Sequence, residues 1–152
     1  MRKAFSIPLV LAAALALCVS SLSWAQKGPI KVGLILPETG PLAANGKDMA
    51  NGMQLFFEEH GWKLAGREIK LITEDDEGKP PTGLAKTRSL VESQGIHLLV
   101  GPLSAAVGYA VAGYVNDKKV PTIFPIVSAE DITQRKRSPY IIRTGWSSAQ
   151  PS

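Results

Sequence analysis

One stretch, residues 31–46, constrains the fold more than any other part of the sequence. It reads KVGLILPETGPLAANG, and its first half is apolar nearly throughout. Such a run is typical of a strand that is buried on both faces of a parallel sheet. Pro37 cannot donate to a sheet ladder and ends the strand. A loop rich in Pro, Gly and Thr follows, and a helix is predicted from about Gly46. A strand, a polar loop and a helix N-terminus in succession are typical of the ligand-side edge of an open α/β sheet.

The same succession recurs along the chain and predicts an α/β fold. Further strands are predicted at residues 68–74, 96–100, 122–124 and 141–143. They are separated by a helix that starts at Pro80-Pro81-Thr82, with Thr82 as its predicted cap, and runs to about Ser93, by a helix at 105–116, and by a short turn at 130–133. With right-handed crossovers, this order predicts a Rossmann-like, doubly wound parallel sheet with strand order 2-1-3-4-5. The loops after strands one, three and four would then line one crevice, which we expect to bind a small solute.

The N-terminal segment, residues 1–25, has the features of a cleaved secretory signal peptide. Two basic residues precede an apolar run at residues 7–19, and Ser23-Trp24-Ala25 forms a small-x-small cleavage site, with Ser23 and Ala25 as the small residues. The apolar run is shorter than a membrane span requires. The sequence therefore predicts export to the periplasm, with the mature chain beginning at Gln26.

Cysteine usage narrows the chemistry of the mature chain. The single cysteine, Cys18, lies in the signal peptide, and Leu17 stands where lipid attachment would require a small residue. Residues 26–152 therefore offer no disulfide, no thiolate nucleophile and no cysteine metal site.

The charge of the chain argues against nucleic acid as a partner. Seventeen basic and thirteen acidic residues give a net charge of +4, which falls to +2 without Arg2 and Lys3 of the signal peptide. This excess is too mild and too dispersed for nucleic-acid binding. The basic cluster QRKR at 134–137 is interpreted as a solvated turn.

The motifs of catalysis are missing from the sequence. It contains no GxGxxG, no P-loop and no GxSxG elbow, and its two histidines, His60 and His97, are predicted to lie away from the crevice. Asp75 and Asp76 are adjacent and would point in different directions, so they make a poor acid–base pair. The acidic turn at 75–78 does not match an EF-hand loop, and we expect a carboxylate there to hold backbone N–H groups. The sequence predicts no enzyme activity, no metal site and no cofactor.

Five segments together resemble a known family. They read IKVGLILPETGPLAANG, GREIKLITEDDEGKP, LLVGPLSAAVG, VPTIFPIVSAEDIT and YIIRTGWSSAQ, in that order. The chain resembles the N-terminal lobe of type I periplasmic solute-binding proteins, in the leucine/isoleucine/valine-binding group that serves ABC transporters. The resemblance implies two α/β lobes that close on a small carboxylate-bearing or amino-acid solute and deliver it to a permease in the inner membrane.

The resemblance also implies which residues contact the solute. In this sequence they are Asn45, Ser104, Ala105, Ile126 through its backbone, and Ser128 through its hydroxyl. Asn45 stands where branched-chain binders often have an aromatic residue, and Ala105 stands at a position where the family has a hydroxyl. These departures keep aromatic and other organic acids open beside branched-chain amino acids.

Members of this family are much longer than the present chain. We therefore expect residues 26–152 to form the N-terminal lobe of a truncated binding protein, with the C-terminal lobe absent. Three alternatives stay open: a ligand-sensing module of a signalling or regulatory protein, a small exported α/β enzyme, and a non-functional fragment.

Overall fold

The computed structural model describes residues 28–147. The predicted signal peptide, its cleavage site and Cys18 lie outside the described residues, as does the end of the final loop at 148–152. Within the described part of the chain, no helix is both long enough and apolar enough to cross a membrane.

The elements alternate as the sequence predicts. The strands are β1 (Ile30–Leu36), β2 (Lys63–Leu64), β3 (Arg67–Asp75), β4 (Leu98–Val100), β5 (Thr122–Phe124) and β6 (Ile141–Arg143). The helices are α1 (Ala43–Glu59), α2 (Pro80–Arg88), which continues into a π turn at Ser89–Ser93, α3 (Ala105–Asp117) and a 3₁₀ turn at Glu130–Ile132.

The sheet has six strands in the order β2-β3-β1-β4-β5-β6. All neighbours pair in parallel except β2, which is antiparallel to β3. The predicted order of the five parallel strands is therefore confirmed, and β2 is an addition at the edge. It arises because Ala65 and Gly66 both have positive φ, 49° and 77°, as a two-residue hairpin turn with the twist of its strands requires.

The larger hydrophobic core lies between the sheet and helices α2 and α3. It contains Ile35, Leu90, Leu99, Phe124 and five valines, of which Val107, Val111 and Val115 are fully buried on one face of α3. Helices α2 and α3 approach closely at Gly83, where a Cβ atom would collide with Cγ1 of Val107. Burial of each large aliphatic side chain contributes about 1.5–3 kcal/mol, and this face buries more such side chains than the opposite face.

Helix α1 packs on the opposite face of the sheet. Val32, Leu34 and Leu36 are buried there, while Met49 and Met53 of α1 are only half-buried against them. The predicted helix start is wrong by three residues, because α1 begins at Ala43.

Helix α2 begins within the predicted segment Pro80-Pro81-Thr82, but Thr82 is not its cap, because the N-cap position is Lys79. Its first helical residue is Pro80, whose missing N–H would have no partner in a first turn and whose fixed φ suits a helix.

Candidate functional site

The three loops predicted to line a crevice lie at one edge of the sheet. Strands β1, β4 and β5 are parallel neighbours, with Leu34 opposite Val100 and Val100 opposite Ile123, so their carboxyl ends are adjacent. The backbone N–H of Gly101 donates to the carbonyl of Ile123 at 3.0 Å. Gly101 has φ of 103°, and a Cβ atom there would collide with the carbonyl of Ile35. We call this region the carboxyl edge, formed by residues 37–45, 75–79, 101–105, 125–129 and 144–147.

Asp75 fixes the first loop of the carboxyl edge. Its Oδ1 accepts the backbone N–H groups of Glu38 (2.9 Å), Thr39 (3.4 Å) and Glu77 (2.8 Å), and its Oδ2 accepts the hydroxyl of Thr39 at 2.6 Å. Partial burial raises the pKa of Asp75, but these hydrogen bonds outweigh it and hold the pKa below its usual value. The expected carboxylate that holds backbone amides is thus present, and it is engaged within the protein.

The neighbouring Asp76 points into the protein instead. It is fully buried; its Oδ1 accepts the N–H of Gly78 at 2.7 Å, and its Oδ2 has no hydrogen-bond partner. Burial is the main cause that raises the pKa of Asp76, and the charge of Asp75 adds to it. Because the two carboxyls have separate surroundings, they form no acid–base pair facing the carboxyl edge.

The N-terminus of α3 presents unpaired donors at the carboxyl edge. Ser104 occupies the N-cap position with an extended backbone, and its hydroxyl makes no capping hydrogen bond. The carbonyl of Ser104 accepts the N–H of Gly108 at 2.9 Å, whereas the amides of residues 105–107 precede the first intrahelical bond. Such a helix start attracts an anion, because its amides and its dipole both favour negative charge. Ala105 is the first helical residue and is half-buried.

The loop after β5 adds an apolar surface. Ile126 is 38% exposed, and Ser128 is half-buried with its carbonyl accepting a hydrogen bond from Nη1 of Arg143 at 3.5 Å. A Cβ atom on Gly145 would collide with the carbonyl of Pro125, which places the chain after β6 directly beside this loop.

Two residues at or directly beside the carboxyl edge were not among the predicted solute contacts. Arg143 ends β6, and Trp146 follows it with 64% of its surface exposed. Both could have been found from the strand at 141–143, because the residues that follow a parallel strand lie at the same edge as those that follow its neighbours.

The structure places all five predicted solute contacts at the carboxyl edge. Asn45 is exposed in the first turn of α1, next to Gly46, whose Cβ would collide with the carbonyl of Pro37. The other four are Ser104, Ala105, Ile126 and Ser128. Their contact with a solute stays a prediction.

The two histidines lie elsewhere and have structural roles. Nδ1 of His60 is 2.7 Å from the carbonyl of Phe56 at the end of α1. Nδ1 of His97 accepts the backbone N–H of Lys31 at 3.0 Å, near the opposite edge of the sheet. Residues 28–147 contain no group of three or more His, Cys, Asp or Glu side chains that could hold a metal ion.

The structure is thus a doubly wound α/β lobe whose loops at the carboxyl edge are rich in hydrogen-bond donors. The periplasmic binding protein family matches residues 29–152. The chain belongs to that family.

Individual relatives agree with this assignment. The Leu/Ile/Val-binding protein BraC3 of Rhizobium johnstonii is 34% identical over 121 residues, 77% of this chain and 33% of the relative. The chain is also similar to a solute-binding protein of an R. palustris ABC transporter in complex with benzoate, with 33% identity, a TM-score of 0.76, and coverage of 79% of this chain and 33% of that one.

A third relative has a structure with a bound amino acid. It is the branched-chain amino acid transporter substrate-binding protein LivJ of Streptococcus pneumoniae in complex with isoleucine, with 25% identity, a TM-score of 0.73, and coverage of 78% of this chain and 34% of that one. The chain thus spans about one third of the length of each of these three relatives.

Proposed function

We propose that the chain is the N-terminal lobe of a solute-binding protein that serves an ABC importer, and that its carboxyl edge holds the carboxylate of a small organic acid. The single observation that carries the proposal is the uncapped start of α3. Ser104 offers a hydroxyl with no capping bond, and the accessible residues Ala105 and Ala106 offer amides that have no partner in the helix. A carboxylate seated there would accept these donors and complement the helix dipole.

The apolar part of the solute would lie against the exposed hydrophobic side chains of the same edge. Ile126 and Trp146 are 38% and 64% exposed, although both are large and apolar. A flat aromatic ring or a branched aliphatic chain would remove this surface from water. Benzoate and isoleucine, the ligands of two relatives, both combine a carboxylate with such a body.

The biological setting of the proposal follows from the family. We infer that the signal peptide at residues 1–25 directs the chain to the periplasm, where residues 26–152 act as the first lobe of a receptor that presents its solute to an inner-membrane permease. The role is binding and delivery, without a chemical step on the solute.

Isothermal titration of the 152-residue chain with benzoate and with L-isoleucine tests the proposal. Ser104→Ala removes one hydrogen bond to a charged group, which is worth about 1.5 kcal/mol, and should weaken binding about tenfold. Ser104→Asp places a second carboxylate at the helix start and should abolish binding. It should not unfold the chain, because Asp is a good N-cap residue.

A matched control is Ser93→Ala, which removes an exposed hydroxyl at the end of the π turn. This variant should bind as the wild type does. If neither acid binds the wild-type chain, or if Ser104→Asp binds with unchanged affinity, the proposal is wrong.

A further inference from the structure

A second concave surface lies along the outer flank of α3. It encloses about 420 Å³, within the range of small-molecule sites. One wall is a stripe of α3, in which Tyr109, Ala112, Gly113 and Asn116 follow one another at the spacing of a single helix face. The other wall is the segment 136–138, before β6. None of the carboxyl-edge residues lines this cavity, which we call the α3 cavity.

The α3 cavity carries positive charge that the described residues do not neutralise. Lys136 and Arg137 line it, and none of its lining residues is acidic. Neither side chain takes part in an ion pair among residues 28–147. The nearest acid in sequence, Asp131, already faces Arg135, with Oδ1 and Nε 3.5 Å apart.

Hydrogen bonds hold the segment 136–138, which carries Lys136 and Arg137, in place against α3. The hydroxyl of Ser138 donates to Oδ1 of Asn116 at 2.9 Å and accepts the backbone N–H of Tyr140 at 3.1 Å. The backbone N–H of Lys136 donates to the carbonyl of Asp131 at 2.7 Å, so both ends of the segment 136–138 are tied. A fixed backbone reduces the ordering cost that a ligand would have to meet.

The helical wall is suited to a flat apolar group. A Cβ atom on Gly113 would meet no atom within 4 Å, so the cavity has open space directly above the helix backbone. The ring of Tyr109 is 47% exposed at the other end of the stripe. A ring lying on Gly113 would contact the tyrosine ring, while its acidic group reached Lys136.

We propose that the α3 cavity is a second binding site, distinct from the carboxyl edge, for a small organic anion with a flat apolar body. Lys136 and Arg137 attract the anionic group, and the stripe from Tyr109 to Gly113 receives the ring. The proposal does not depend on the function assigned to the carboxyl edge, because the two sites share no residue.

Fluorine NMR of 4-fluorobenzenesulfonate titrated with the 152-residue chain tests this site. We expect saturable binding that Lys136→Gln weakens about fivefold, the value of one lost ion contact in water. Gly113→Leu should abolish binding by filling the cavity while keeping its charge. It should also raise helix stability, because Leu has a higher helix propensity than Gly.

Two controls locate the binding. Lys63→Gln removes an exposed lysine of β2 and should leave affinity unchanged. Sulfate, which lacks the ring, should displace the probe only weakly. The proposal is overturned if the probe does not bind saturably, if Ser104→Asp abolishes binding while Lys136→Gln does not, or if sulfate competes as well as the aromatic sulfonate.

Discussion

Replacing Asp76 by asparagine should stabilise the fold at neutral pH. Asp76 is fully buried, with one carboxyl oxygen bonded to the N–H of Gly78 and the other without a partner. A buried polar group without a partner costs about 1–3 kcal/mol, and a charged group costs more. Asparagine keeps the acceptor for Gly78 and removes the charge, so the free energy of unfolding should rise by about 1 kcal/mol at pH 7.

The effect of Asp76→Asn should depend on pH in a defined direction. Burial raises the pKa of Asp76 above 3.8, so the protonated form is favoured in the folded state. The stability linked to that proton is fully present below pH 3.8 and is lost as the pH rises through the folded-state pKa. The variant should therefore gain most at pH 7 and lose its advantage near pH 3.8.

Urea unfolding at pH 7 and at pH 4 measures the gain in the free energy of unfolding of Asp76→Asn and its dependence on pH. Asp75→Asn is the matched comparison, since the hydrogen bonds from Thr39 and the nearby amides outweigh burial and lower the pKa of Asp75. That variant should lose stability at pH 7, and its deficit should shrink as the pH falls below 3.8. A loss of stability in Asp76→Asn at pH 7, or a gain that is the same at both pH values, would refute the reasoning.

Three further predictions concern packing and titration. Gly83→Ala should lower the free energy of unfolding measured in urea by about 1–3 kcal/mol, because the new methyl group collides with Val107. The second substitution Val107→Ala should restore part of that loss. Gly52→Ala, in the exposed interior of α1 with no atom within 4 Å of its Cβ, should instead gain about 0.5–1 kcal/mol; a loss would contradict the open space seen there. Burial and the hydrogen bond to Glu92 raise the pKa of Tyr114 to about 12, so an ultraviolet titration should show its phenolate only near pH 12, and Glu92→Gln should lower this pKa.

The parallel part of the fold could be predicted because its signals are local. Strands β5 and β6 have the predicted bounds, since Pro121 and Pro125 bracket one and Pro139 precedes the other. The strand order follows from the alternation of strands and helices together with crossover handedness.

Features that depend on contacts between distant residues could not be predicted. The sequence presents Asp75 and Asp76 as equivalent, and only the close approach of α2 and α3 at Gly83 buries one of them while the other reaches Thr39. The residues of the carboxyl edge show the same difference between local signals and contacts between distant residues. Loop positions at the carboxyl edge were predictable from strand ends, whereas the close approach of Gly145 to Pro125 and the exposure of Trp146 depend on tertiary packing.

The most direct test of the carboxyl edge as a carboxylate site is an amide-resolved NMR titration of the 152-residue chain with benzoate. A carboxylate bound at the start of α3 should shift the backbone amide signals of Ala105, Ala106 and Val107 in a saturable manner, together with those of residues 126–128. Saturable shifts confined to the α3 stripe at 109–116, or none at residues 105–107, would contradict the account.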